Sequence, residues 1–134
     1  MTDTITALVA AERIEAMALA GRLRQSVWQH DDDEGRHLAC LLGAVDPRVN
    51  AASAPCLAKL APRWVLDWTI EAFDVLDKGS INDAALMYAQ MLRDGASLTP
   101  AQWDQVSVEF RCWLIAARFR QFQALAQIVK EARI

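Results

Sequence analysis

Glycine and proline are scarce, five and four in 134 residues, which excludes a fold made of many strands joined by tight turns. Valine, isoleucine and threonine are scattered and nowhere alternate with polar residues, so the period-two signature of a half-buried strand is missing. Histidine is rarer still, at two. The three cysteines, Cys40, Cys56 and Cys112, are odd in number and sit in apolar surroundings, which suits a reducing compartment. No stretch comes near the roughly 18 uncharged apolar residues of a membrane helix. The first twenty residues carry Asp3, Glu12, Arg13 and Glu15 and lack the basic start and apolar run of a secretory signal. These absences predict a cytoplasmic protein with no membrane association.

Motifs that would declare a chemistry are missing as well. There is no His-Glu-x-x-His, no Gly-x-Ser-x-Gly elbow, no phosphate-binding glycine loop and no dinucleotide fingerprint. No repeat recurs at 30 to 45 residues, so a regular solenoid is not supported.

What is present favours helix. Hydrophobic residues make up 54% of the chain, enough for a core without staples, and many are alanine and leucine, good helix formers. The net charge of −3 is uneven. Acids outnumber bases through residue 104, whereas residues 105–134 hold two acids against five bases. A mildly acidic body with a weakly basic tail does not make the strong basic stripe of a nucleic-acid binder.

Punctuation predicts about six helices in one helical domain, 1–134. The first runs from Asp3 or Thr4 to Gln29, the second from Arg36 to Val45, and the third from Pro55 to Leu60. The fourth is opened by Pro62 and stopped at Lys78-Gly79. Ser80 caps the fifth, which Gly95 ends. Thr99-Pro100-Ala101-Gln102 combines cap, first-turn proline and capping box, and the helix it opens continues to Arg133, with room for a break at Phe119–Phe122. The expected architecture is all-α: an irregular bundle with two long terminal helices and four shorter ones. An array of helical hairpins, HEAT-like in helix length and count, is the alternative.

Helical wheels put apolar residues on two sides of both long helices. In the first, Ile5, Leu8, Val9, Ala16, Leu19, Leu23 and Val27 share an arc, while Ile14, Met17 and Trp28 point elsewhere. In the last, a broad stripe from Trp103 to Ile128 faces away from a second one of Val108, Ile115, Phe119, Phe122 and Val129, with Arg111 and Arg118 beside the latter. A helix apolar on two sides is central in its domain or buried against another chain. The surplus residues Ile14, Met17, Trp28, Val108, Arg111, Ile115, Arg118, Phe119 and Phe122 are therefore candidate interface residues, for a second copy or another protein. The two arginines also suit ion pairs with Asp67, Glu71 or Asp74.

The segment His30-Asp31-Asp32-Asp33-Glu34-Gly35-Arg36-His37 gathers four carboxylates and two imidazoles, ligands that suit a divalent metal. His30-Asp31 resembles the paired ligands of HD-type phosphohydrolases, which need more histidines than this chain has. The bland reading is a solvated acidic turn. Cys40, one helical turn beyond His37, could pair with it as a nucleophile, although buried cysteine is usually structural. Trp64, Trp68, Trp103 and Trp113 fall among Leu, Val and Ile, where core packing is the ordinary role and a ligand pocket the sharper one.

The sequence thus predicts a non-enzymatic interaction or regulatory helical module that self-associates, without a cofactor. The alternatives are a metal-binding protein or small metal-dependent hydrolase built on His30–His37, and a small-ligand binder with a tryptophan-lined pocket.

Overall fold

A computed structural model describes residues 3–133, and the chain divides into two compact units, residues 1–97 and 98–134. Among the described residues there are four α-helices, three 3₁₀ turns and one two-stranded antiparallel sheet. The expected six-helix bundle is thereby corrected. The segment expected to form the second helix holds a strand and a 3₁₀ turn instead, and the third is a 3₁₀ turn at Pro55–Leu57. The hairpin-array alternative also fails, because α1 (Ala7–Leu19) packs chiefly on α3 (Ile81–Gly95) rather than on its neighbour in sequence.

The Thr6 hydroxyl accepts a hydrogen bond from the Val9 N–H at 3.2 Å and starts α1. The buried side of this helix is Ala7, Ala10, Ala11, Ile14 and Ala18, whereas Leu8, Val9 and Leu19 are exposed. Apart from Ile14, the large aliphatic side chains of α1 therefore mark its exposed face and small ones its buried face. Alanines at i, i+3, i+4 and i+11 leave room for close approach, and α3, on which α1 packs, buries its own Ala85 and Ala89. Ile14 is 0% exposed, and Met17 and Trp28 pack against the same core. Ile14, expected on a surplus interface face, is thus a core residue, whereas Met17 and Trp28, expected there too, are partly buried at the edge of that core.

Helix α1 stops ten residues short of Gln29. Gly21 takes φ +67°, a left-handed conformation that ends helices, and the Arg22 N–H turns back to the Met17 carbonyl at 2.9 Å. Beyond it, Leu23 is buried and its segment bridges to Ala39. The chain then forms the hairpin of β1 (Gln29–Asp31) and β2 (His37–Ala39), paired Gln29 with Ala39, His30 with Leu38 and Asp31 with His37.

Much of the core comes from irregular chain after β2: Leu41, Leu42, Val45, Val49, Leu57 and Leu60 are all buried. Side chains tie this region down. Gln29 Nε2 lies 2.9–3.0 Å from the carbonyls of Gly43, Asp46 and Val49. Arg13 donates to the Val45 carbonyl at 2.7 Å. Arg48 holds the Asp46 carboxyl below its ordinary range.

Helix α2 (Arg63–Asp74) follows Pro62 and buries Val65, Leu66, Thr69 and Phe73. Its Trp68 is 40% exposed rather than a core residue. Gln25 Nε2 donates to the carbonyls of Phe73 and Leu76 at 2.8 and 2.7 Å, satisfying the open end of the helix. Thr69 donates to the Val65 carbonyl at 2.6 Å and is hydrogen-bonded to the Tyr88 hydroxyl of α3 at 3.0 Å.

Tyr88 is the chain's one tyrosine. Burial pushes its hydroxyl from the ordinary 10.0 up to about 12, against the opposing pull of the Thr69 hydrogen bond. Ultraviolet titration therefore reports a single group, ionising near pH 12 in the native protein and near 10 once unfolded. The folded state holds the proton more tightly, so this contribution to stability is complete below pH 10 and is lost as the pH rises toward 12. A native tyrosine titrating at 10 would place Tyr88 outside the core.

The second unit contains α4, Pro100–Ala132, 33 residues without a break. Thr99 and Gln102 form the expected capping box, the Gln102 N–H donating to Thr99 Oγ1 at 3.2 Å and the Thr99 N–H to Gln102 Oε1 at 2.8 Å. The possible break at Phe119–Phe122 does not occur.

Candidate interaction surface

The acidic segment becomes the turn of the hairpin. The Asp32 carboxylate accepts from the backbone N–H groups of Glu34 (3.0 Å) and Arg36 (2.8 Å) and from Arg36 Nε (2.8 Å). These bonds hold its pKa down, the Arg36 backbone contact contributing most. Gly35 closes the turn at φ +79°. On the strands, His37 bonds through Nδ1 to Asp31 at 2.8 Å and through Nε2 to Gln29 Oε1 at 2.5 Å. His30, paired with Leu38, lies on the opposite face of the hairpin.

The six residues His30, Asp31, Asp32, Asp33, Glu34 and His37 thus do not converge. Among the described residues no group of three or more His, Cys, Asp or Glu side chains is placed to hold a metal ion. The alternative of a Cys40–His37 pair is not realised: His37 uses both ring nitrogens elsewhere and Cys40 Sγ accepts from the Gly43 N–H at 3.3 Å. Burial pushes the Cys40 thiol pKa up, which disfavours the reactive thiolate.

Concavities lie in the first unit: one of about 400 Å³ among Leu23, Arg24, Gln25, Lys78, Ile81 and Asn82, and two beside α2. The first of these two, of about 230 Å³, sits beside Cys40 between Trp28, Phe73 and Asp74. The other is an apolar groove of about 320 Å³ between α2 and α3, lined by Trp68, Phe73, Met87, Tyr88 and Met91. Of the four tryptophans weighed in the sequence, only Trp68 lines either of these, and Trp113 of α4 is exposed.

The larger feature is α4. None of its described residues is buried. The second apolar stripe of the sequence analysis is on its surface, with Ile115, Phe119 and Phe122 exposed by 70%, 63% and 72% and Val108 and Val129 also exposed. Two further exposed residues, Cys112 and Ala126, fall on the same line. Together they read Val108, Cys112, Ile115, Phe119, Phe122, Ala126, Val129, with spacings that alternate four and three. That is a heptad seam of period 3.5, apolar at every position through three repeats. Sequence reasoning missed Cys112 and Ala126 because it took only large side chains, although the alternating spacing was there to find.

The other stripe is different in kind. Phe110 and Trp113 stack at 6.1 Å, but Gln121 interrupts the row and its spacing follows the straight helix. Beside the seam, Arg111 turns to the Ser107 carbonyl (3.4 Å) and Arg118 to Gln121 Oε1 (3.0 Å), both within α4. Of the acids of α2, Asp67 is bound by Arg63 at 2.9 Å and Asp74 accepts from the Ser26 N–H at 2.9 Å. No helix among the described residues is long and apolar enough to cross a membrane.

No protein family, curated protein or solved structure matches the chain.

Proposed function

We propose that this protein is a non-enzymatic interaction module of the cytoplasm that self-associates through α4. The observation that carries the reading is the exposed heptad seam from Val108 to Val129. At about 1.5 Å per residue it runs for roughly 30 Å, and helices in proteins draw most of their stability from burial of such a face. A seam of period 3.5 fits another helix of the same period, and a second copy supplies one at equal concentration. The unpaired, buried thiols of Cys40 and Cys56 suit a reducing cytoplasm.

Size-exclusion chromatography with light scattering tests this on the full chain. The reading expects twice the chain's mass, or a mass that rises toward that value with concentration. A strict monomer at the highest attainable concentration contradicts it.

A further inference from the structure

The seam also carries information about direction. Resting on the self-association reading above, we infer that two copies of α4 pair antiparallel about a two-fold axis at Ala117. Residues whose numbers add to 234 then face one another across the seam. Cys112 meets the partner's Phe122, Ile115 meets the partner's Phe119, Val108 meets the partner's Ala126, and Gln105 meets the partner's Val129. In each of the two central layers types a ring meets a smaller side chain, so the layers have similar volume and the helices can stay at constant separation.

The parallel, in-register alternative stacks like on like. Its Phe119 and Phe122 layers would each hold two rings, while its Cys112 and Ala126 layers would each hold two small side chains. Such a seam has two overfilled layers in succession with an underfilled layer toward each end, and both errors are destabilising.

Charge points the same way. In a parallel pair, Asp104 on one helix flanks Glu109 of the partner subunit, and symmetry repeats this acid pair. In the antiparallel pair the end bearing Asp104 and Glu109 lies alongside the end bearing Lys130 and Arg133, where the one acid is Glu131. The helix dipoles also oppose. The cost is one like-charge approach, Arg118 to the partner's Arg118 at the axis, and that guanidinium is already turned along its own helix toward Gln121.

Disulfide trapping in the full-length protein distinguishes the directions. Phe122→Cys, with Cys112 retained, is expected to give a covalent dimer on mild oxidation, with position 112 joined to position 122 in peptide maps. The two positions cannot join within one helix, being about 15 Å apart along it. Because that change removes a ring from the seam, a second variant, Cys112→Ser with Val108→Cys and Ala126→Cys, keeps both rings. It is expected to link position 108 to position 126. The buried Cys40 and Cys56 do not compete.

Cys112 joined to Cys112 in the native protein, or 108 joined to 108, would establish the parallel arrangement and overturn the inference. A dimer that forms none of these links overturns it too, by placing the contact elsewhere. A monomer by light scattering is a different result, because it removes the self-association reading on which the inference rests.

Discussion

Replacing Phe119 by Asp converts the protein to a monomer over the concentrations at which the native chain is dimeric. The ring is 63% exposed and lies at the middle of the seam, between Ile115 and Phe122. Burying a phenylalanine side chain contributes about 1.5–3 kcal/mol. A symmetric dimer loses that contribution twice, and the carboxylate adds a desolvation cost. With each 1.4 kcal/mol worth tenfold in affinity, the dissociation constant is expected to rise about 100-fold or more. Gln127→Glu, on another face of α4, should leave the mass unchanged. Sedimentation of the three proteins checks this, with circular dichroism to show that the first unit stays folded. An unchanged dimer in Phe119→Asp would move the interface off the seam.

The second large effect separates interface from core. Ile14→Ala is expected to destabilise the first unit by about 2–5 kcal/mol, because a fully buried side chain leaves a cavity as well as losing its transfer energy. For a unit of this size that corresponds to a melting temperature lower by roughly 10 °C or more. Association measured below the transition should not change. Had Ile14 belonged to a second apolar face, the substitution would weaken association and leave melting nearly untouched. Thermal denaturation and light scattering on the same sample decide between them.

Contacts in this protein use small residues as well as large ones. Helix α4 is legible because the Thr99-Pro100-Gln102 box opens it; α3 spans Ile81–Gly95 as its punctuation suggests, although the Ser80 side chain makes no capping hydrogen bond and Ala96 is the C-cap. The faces are less legible. A wheel that looks for Leu, Val and Ile selects Leu8, Val9 and Leu19 on α1, all exposed, and passes over Ala7, Ala10, Ala11 and Ala18, which are buried. The same preference for bulk finds five residues of the α4 seam and misses Cys112 and Ala126.

The hairpin was illegible for a different reason. Its strands are three residues each, too short for alternation to register, and Gln, His and Asp are poor strand formers. What builds it is the Asp32 carboxylate binding the Glu34 and Arg36 N–H groups, a local turn. Read as composition, those acids suggest a cation site or a helix cap. In the fold, Asp32 and Asp31 bind Arg36 and His37 of the hairpin itself.

Hydrogen exchange of the α4 amides, compared between native protein and Phe119→Asp at equal concentration, tests the central claim most directly. A lone helix in water frays and exchanges readily, whereas a paired seam holds its amides closed. The account predicts strong protection from Val108 to Val129 in the native protein and its loss in the variant. Equal exchange rates in the two proteins would contradict it.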